Sequence, residues 1–250
     1  MGTPELRIEG AIATICLMRP DQANRLGPDD LAMLLEHIET VDQNSDVRVL
    51  ELTATGKYFC SGFDINRLGG ERTVDFSTVV DALENCRPVS VAVLQGGVYG
   101  GATDLALSCD FRIASPNVDM FMPAARLGLH YYQSGLERYV QRLGLNAAKL
   151  LFLTAERIDA QKMLNFGYLT HLAGPAEGDL ADLRATLVDR LVAMAPIALL
   201  GMKKHLNRIA QGRLDVDDLE NDIARALGSE DLQEGRQAWA QKRTPVFKGR

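Results

Sequence analysis

The sequence lacks paired cysteines, long apolar runs and an excess of positive charge, and each absence excludes a class of protein. Its four cysteines have no C-x-x-C spacing and lie far apart, at Cys16, Cys60, Cys86 and Cys109. That spacing fits neither a zinc site nor a disulfide-rich secreted scaffold, so we expect free thiols in a reducing cytosol and no bound metal. The net charge of −6 argues against nucleic-acid binding, which needs clustered Lys and Arg to displace counterions from phosphates.

Membrane spans and targeting signals are also missing from the pattern. No stretch approaches the roughly eighteen consecutive apolar residues that a membrane-spanning helix needs. The first residues (MGTPE) have no basic region followed by an apolar core, so we expect no signal peptide and a cytoplasmic protein. At 250 residues, with 46% hydrophobic and 24% charged content, the composition is typical of a globular protein with a full core.

Strand-like and helix-like runs alternate along the first half of the chain. Apolar, β-branched runs predict strands at residues 12–18, 48–55, 89–94 and 111–115. After Asp29 and Asp30, apolar residues at helical spacing predict a helix that extends to Val41. The alternation predicts an α/β fold, and the polar, glycine-bearing residues 65–74 predict a surface loop.

The second half is predominantly helical. Ser134 and Glu137 form the S-x-x-E pattern of a capping box, which predicts a helix to Leu143. Further helix-like stretches cover residues 159–166, 180–194, 197–210, 216–227 and 232–242. No Pro/Gly/Ser-rich linker separates them from the first half. We therefore predict one fold, with a core at 1–195 and a helical region at 196–250 that can serve oligomerisation.

Two glycine-bearing turns, residues 60–64 (CSGFD) and 100–104 (GGATD), are the most informative feature of the sequence. Each follows an apolar run, and the second leads directly into a helix-like stretch. Glycine lets the backbone approach a ligand closely, and a helix start adds unpaired N–H donors at the positive end of its dipole. Two such turns facing each other would form an oxyanion hole. Taken singly, each turn also fits an ordinary strand-end connection.

These turns, in this order and with these flanks, resemble motifs of the enoyl-CoA hydratase/isomerase (crotonase) superfamily. Its R-P…N-x-L opening is matched by Arg19, Pro20, Asn24 and Leu26. Its F-x-[AS]-G-x-D-[LI] segment resembles residues 59–65, and its G-x-x-x-G-G-x-x-[ED]-L…C-D-x-R-I-A block resembles residues 96–105 and 109–114. Its C-terminal S-x-D…E-G…K-R-x-P-x-F-x-G-[RH] pattern resembles residues 229–231, 234–235 and 242–250. Together these motifs span nearly the whole chain.

The resemblance implies the ClpP/crotonase-like α/β spiral of ββα repeats, followed by a C-terminal helical region that packs into homotrimers or dimers of trimers. It implies an acyl-CoA thioester as the substrate, so coenzyme A enters as part of the substrate and no separate cofactor is expected. An acyl carrier protein could present the same pantetheine-linked acyl group. No nucleic-acid or membrane partner is implied.

The resemblance also assigns site residues. The backbone N–H groups of Ser61 and Gly101 would hold the thioester oxygen, in agreement with the donors expected from the glycine turns. Contacts to the substrate or its CoA portion are assigned to Arg25, Gly62, Phe63, Asp64, Tyr132 and Lys242. Lys242 matches a basic position that in relatives reaches the ligand's phosphates from a neighbouring subunit, although a solvated lysine fits the pattern as well.

The catalytic carboxylates of the family's hydratases are only partly present. Those enzymes use two glutamates, one to activate water and one to deliver a proton. Asp104 stands at the first position, as a carboxylate one methylene shorter, and Ala124 stands at the second. Because alanine cannot transfer a proton, we predict that two-carboxylate hydration is inefficient here. Asp104 is then the inherited carboxylate for proton transfer, unless it merely stabilises the first turn of its helix.

The loop at residues 127–135 offers further chemical groups. Tyr131 matches a tyrosine of a family decarboxylase that acts on methylmalonyl-CoA, although that enzyme has a histidine where this chain has Phe63. His130 could act as a base, and Tyr131 or Tyr132 could donate a hydrogen bond or pack against the acyl chain. The alternatives are hydration or isomerisation, decarboxylation of a (methyl)malonyl thioester, thioester hydrolysis, and acyl-thioester binding without catalysis.

Overall fold

The computed structural model of the chain describes residues 2–67 and 74–250, and within them the strands form two sheets. The strands are β1 (Glu5–Glu9), β2 (Ile12–Leu17), β3 (Val49–Ala54), β4 (Val89–Leu94), β5 (Val98–Tyr99), β6 (Phe111–Ala114), β7 (Asp119–Phe121), β8 (Ile158–Asp159) and β9 (His171–Leu172). The larger sheet has the order β1-β2-β3-β4-β6-β9, antiparallel at β1–β2 and parallel elsewhere. The smaller sheet has the order β5-β7-β8.

Helices pack on both faces of the larger sheet. They are α1 (Pro28–Gln43), α2 (Phe76–Asn85), α3 (Gly101–Ser108), α4 (Gln133–Leu143), α5 (Leu145–Lys149), α6 (Ala160–Asn165), α7 (Asp179–Val192), α8 (Pro196–Ala210), α9 (Val216–Leu227) and α10 (Glu230–Gln241). Successive strand residues point to opposite faces, so Val91 packs with Leu187 of α7, whereas Leu94 packs in the larger core with Leu34 of α1. Within the described residues no single helix is long and apolar enough to cross a membrane. The pair α7–α8 reaches that length and composition only when both helices are counted together, and it is bent by 105°.

The α/β architecture predicted from the alternating runs is confirmed, and the four predicted strands lie where the apolar runs do. The structure adds β1 and the strands of two or three residues in β5, β7, β8 and β9. Of the predicted loop at 65–74, Ile65–Arg67 forms a 3₁₀ turn, and residues 68–73 lie outside the described residues.

The parallel pairing of β3 and β4 brings the two glycine turns together. Parallel strands place their carboxyl ends at the same edge of a sheet, and each of these two strands leads into one of the turns. Beyond the strands, the pairing continues as a parallel bridge between Cys60 and Val98. There the Tyr99 N–H donates to the Cys60 carbonyl oxygen at 3.0 Å. The turns therefore lie side by side, as the sequence predicts for a shared site.

The C-terminal residues are fastened to the rest of the chain. The Asp231 carboxylate accepts hydrogen bonds from the N–H groups of Lys248 at 2.7 Å and Gly249 at 2.8 Å. The Arg48 guanidinium, just before β3, donates to the Phe247 carbonyl oxygen at 3.1 Å. The Asp231 bonds thus hold the last residues against the start of α10, and the Arg48 bond joins them to the α/β part.

Candidate active site

Gly62 and Gly101 place the two turns in contact at the carboxyl end of the sheet. Gly62 adopts φ +92°, and a Cβ atom there would lie 2.7 Å from the Tyr99 carbonyl oxygen and 3.0 Å from the Gly101 nitrogen. Glycine alone meets both demands, a left-handed backbone and the close approach of another backbone. The first turn is therefore held directly against the first residue of α3.

In the first turn, Phe63 offers a backbone N–H that has no acceptor among the described residues. The neighbouring N–H groups are all bonded: that of Ser61 donates to Ala23 O at 2.9 Å and that of Asp64 to Leu26 O at 2.8 Å. The Gly62 N–H donates to Cys60 Sγ at 3.4 Å. The assignment of the first donor to Ser61 is therefore wrong, because that N–H is already bonded. The donor that is free to bind a ligand in this turn is Phe63, which the sequence analysis counts only as a substrate contact.

In the second turn, Gly101 provides the free donor. It opens α3, and its N–H has no acceptor within the described residues, whereas the preceding Gly100 N–H donates to the Phe121 carbonyl oxygen at 3.0 Å. The first N–H groups of a helix lack intrahelical acceptors and carry its positive dipole end. Gly101 is therefore a free donor in the second turn, and its predicted part in an oxyanion hole stays a prediction.

Asp104 is buried and fully engaged by neighbouring side chains. It has no exposed surface, and Oδ1 pairs with Arg138 Nη1 at 2.8 Å. Oδ2 accepts hydrogen bonds from the hydroxyl groups of Tyr131, at 3.3 Å, and Tyr132. Burial raises the pKa of Asp104, while Arg138 and the Tyr132 hydroxyl oppose that rise. With both oxygens occupied, Asp104 is not placed as a free base, and it instead orients the two tyrosines.

Arg138 lies at the centre of a buried ion-pair network. Only 1% of its side chain is exposed, and besides Asp104 it contacts Asp81 at 2.6 Å and Glu84 at 3.0 Å. Arg142, one helical turn along α4, pairs with Glu84 at 3.1 Å. The network was missed from the sequence, although Arg138 and Arg142 share one face of α4, and Asp81 and Glu84 share one face of α2.

The remaining predicted groups divide between the interior and the surface. Ala124, which the sequence analysis matches to the second glutamate of the hydratases, is buried with 5% exposure. Tyr131 and Tyr132 stack at 4.5 Å, and burial together with the Asp104 charge raises the pKa of both phenols. They therefore remain protonated donors at neutral pH. His130 is exposed, and its Nδ1 lies 2.8 Å from the Tyr131 carbonyl oxygen rather than at Asp104.

A polar cavity of about 430 Å³ adjoins the first turn. It is lined by the predicted contacts Arg25 and Asp64, whose side chains approach to 3.8 Å, and also by Arg19 and Arg67. The sequence analysis assigns Arg25 to the site, names Arg19 only as part of a motif, and does not name Arg67. Lys242 follows α10 on the exposed surface and is not among the residues that line the cavity.

A histidine–carboxylate cluster on α8 and α9 is already neutralised by protein cations. His205, Asp218 and Asp222 offer ligand atoms within 4.8 Å of one another. The Lys204 Nζ atom, however, lies 2.7 Å from both carboxylates, and Arg208 also pairs with Asp218. These contacts mark the cluster as a set of ion pairs that joins two helices.

Comparison with known proteins matches the family model described as enoyl-CoA hydratase/isomerase to residues 7–250. The chain is 29% identical to the short-chain-enoyl-CoA hydratase of Clostridium acetobutylicum, over 95% of this chain and 94% of that protein. It is 26% identical to the (E)-benzylidenesuccinyl-CoA hydratase of Thauera aromatica, over 98% of each. A solved enoyl-CoA hydratase/carnithine racemase of Magnetospirillum magneticum aligns with a TM-score of 0.91 at 26% identity, covering 100% of this chain and 97% of that one.

Proposed function

The chain belongs to the enoyl-CoA hydratase/isomerase family and has the crotonase fold, and from this and the site geometry we propose that it stabilises an acyl-CoA enolate between the N–H groups of Phe63 and Gly101. The observation that carries the proposal is the pair of unpartnered donors in turns that contact each other. An enolate next to a thioester carries its charge on the carbonyl oxygen, where such fixed donors act most strongly.

The charges around Asp104 determine how that enolate is formed. Both Asp104 oxygens are bound by Arg138 and the two tyrosines, and the second carboxylate position is Ala124. A general base must reach the proton that it removes, and neither position meets that condition. We therefore favour an enolate that arises without proton abstraction by Asp104 or by a carboxylate at position 124.

Decarboxylation of a malonyl-type thioester satisfies this condition. The bond between the α-carbon and the substrate carboxylate breaks, carbon dioxide leaves, and the electron pair passes into the enolate held by Phe63 and Gly101. The α-carbon then takes a proton from a water molecule, which leaves as hydroxide. Tyr131 and Tyr132 do not act as bases, because the raised pKa of each phenol keeps it protonated and both hydroxyl groups donate to Asp104.

The polar cavity beside Phe63 is proposed to hold the coenzyme A nucleotide. Arg19, Arg25 and Arg67 supply donors for phosphate oxygens, although Arg19 is paired with Asp30 at 2.6 Å and Arg25 lies 3.8 Å from Asp64. Lys242 would reach such a ligand from a neighbouring copy of the chain. Binding of matched acyl-CoA and acyl-carrier-protein thioesters distinguishes the two carriers, because only the former presents the nucleotide.

Assays of purified protein with methylmalonyl-CoA and crotonyl-CoA test the reaction. We expect methylmalonyl-CoA to be decarboxylated faster than crotonyl-CoA is hydrated. Asp104→Asn should lower turnover far less than the roughly 10²- to 10⁴-fold loss that follows removal of a general acid or base. His130→Ala serves as the exposed control. Efficient hydration of crotonyl-CoA by wild type that is lost in Asp104→Asn would favour hydration as the reaction, with Asp104 as its acid or base. Thioester binding without turnover in decarboxylation, hydration, isomerisation or hydrolysis assays would favour the non-catalytic alternative.

The helical region is proposed to form a homotrimer or a dimer of trimers. Helices α8, α9 and α10 line an apolar groove of about 880 Å³, and Trp239 beside it is 88% exposed. Together with the exposed Trp239 ring, this apolar groove favours an interface with another copy of the chain. We expect light scattering to give a mass of three or six chains, and Trp239→Glu to lower it. Leu153→Glu, at an exposed apolar residue outside the groove, should leave the mass unchanged. A monomeric wild-type protein would exclude the assembly.

A further inference from the structure

The ring of Phe76 lies beside Gly101, one of the two proposed donor residues. A Cβ atom built on Gly101 would approach three atoms of that ring at 2.9, 3.2 and 3.4 Å. The same ring lies 6.3 Å from the ring of Phe63 and 6.2 Å from that of Tyr132. Phe76 therefore contacts one donor residue directly, and neighbours the other donor residue and one tyrosine.

The register of α2 holds this ring in place. Phe76 is the first residue of α2, and the buried residues Val79, Val80 and Leu83 follow at helical spacing on the same face. That face packs into the larger core, in which Phe76 is itself partly buried. The ring is thus positioned by the anchoring of the whole helix.

Any acyl group bound at this site must start beside the Phe76 ring. An oxygen that accepts from the Gly101 N–H lies at about 2.9 Å from the nitrogen, and the acyl α-carbon lies roughly 2.4 Å from that oxygen. The Phe76 ring, one atom of which lies 2.9 Å from the virtual Cβ of Gly101, is thus a neighbour of the first carbon atoms of the acyl group. Beyond the α-carbon, a longer chain would meet the ring.

We propose that Phe76 is a specificity-determining residue that restricts this enzyme to short acyl groups. The inference rests on the proposed function, because it takes the thioester oxygen to bind at Phe63 and Gly101. The rings of Phe63 and Tyr132 are neighbours of the Phe76 ring and limit the directions in which it can move. A malonyl-type substrate, with few carbon atoms beyond the thioester, fits this restriction.

The test measures binding of acetyl-, butyryl-, hexanoyl- and octanoyl-CoA to wild type, Phe76→Ala and Phe76→Leu by calorimetry. We expect wild type to prefer the two shorter thioesters. Phe76→Ala should raise the octanoyl-to-acetyl affinity ratio by about tenfold or more, the effect of giving two methylenes an apolar surface, and Phe76→Leu should raise it less. Phe166→Ala, which truncates a partly buried ring outside this aromatic group, should leave the ratio unchanged.

The outcomes separate this inference from the function on which it rests. An unchanged ratio in both Phe76 variants, with all four thioesters still bound, would overturn the role of Phe76 and leave the proposed function standing. Tight octanoyl-CoA binding by wild type would do the same. Failure of wild type to bind any of the thioesters would overturn both proposals. Phe76→Leu keeps a core-filling side chain, so it decides the question if Phe76→Ala does not fold.

Discussion

Replacing Arg138 by methionine is expected to lower the free energy of unfolding by about 3–5 kcal/mol, because it leaves buried carboxylates without their cation. Asp104 has no exposed surface and no other charged partner within the described residues, so it bears most of the loss. Glu84 keeps Arg142, and Asp81 is 41% exposed to water. Urea denaturation followed by circular dichroism, at one fixed protein concentration, measures the change.

An exposed ion pair and a double variant test the cause of that loss. Arg157→Met removes the partner of Asp119 at a side chain that is 64% exposed, and should cost under about 1 kcal/mol. Adding Asp104→Leu to Arg138→Met removes the orphaned charge, so we expect it to recover part of the stability. Equal losses of stability in Arg138→Met and Arg157→Met would show that burial of the ion-pair network does not determine its contribution to the free energy of unfolding.

The pH dependence of the Arg138→Met defect has a definite sign. Burial raises the pKa of Asp104 above its ordinary value of 3.8, so the folded protein binds this proton more tightly than the unfolded chain does. The ionised carboxylate therefore costs stability above that value, and protonation relieves the cost as the pH falls. Removing Arg138 takes away a group that opposes the rise, so the defect should shrink as the pH decreases from neutrality toward the aspartate range.

The fold was largely predictable because its main strands and helices carry local signals. β3 and β4 are apolar and β-branched because both of their faces are covered, and α1 shows helical spacing because one face packs on the sheet. The strands β5, β8 and β9, of two residues each, have no such pattern. They exist through hydrogen bonds to distant segments, which no local window of sequence contains.

The site was less predictable, because its chemistry depends on which groups are already bonded. The turn at 60–64 is evident from its glycine, but the loss of Ser61 as a donor depends on the carbonyl of Ala23, from a separate segment. Asp104 likewise reads as a free acid until Arg138, thirty-four residues later, is seen beside it. Pairing across the fold, rather than residue type, decides both roles.

Replacing Gly62 by alanine is expected to lower turnover by about 10²- to 10³-fold, the loss that follows when an oxyanion donor is removed. The added Cβ would lie 2.7 Å from the Tyr99 carbonyl oxygen and 3.0 Å from the Gly101 nitrogen, so the two turns must move apart. That movement changes the spacing between the Phe63 and Gly101 N–H groups. Turnover of the thioester that wild type accepts, measured beside the melting temperature, checks the prediction.

Gly10→Ala is the matched control for this experiment, because it imposes the same kind of backbone strain without the contact. Gly10 has φ +58°, and a Cβ there would meet nothing within 4 Å. A left-handed alanine costs roughly 1–2 kcal/mol of stability. Gly10→Ala should show a loss of that order, and Gly62→Ala a larger one because its Cβ also displaces backbone. Only Gly62→Ala should also lose turnover, because only its Cβ separates the donors. Wild-type turnover in a folded Gly62→Ala protein would remove Phe63 and Gly101 from the reaction.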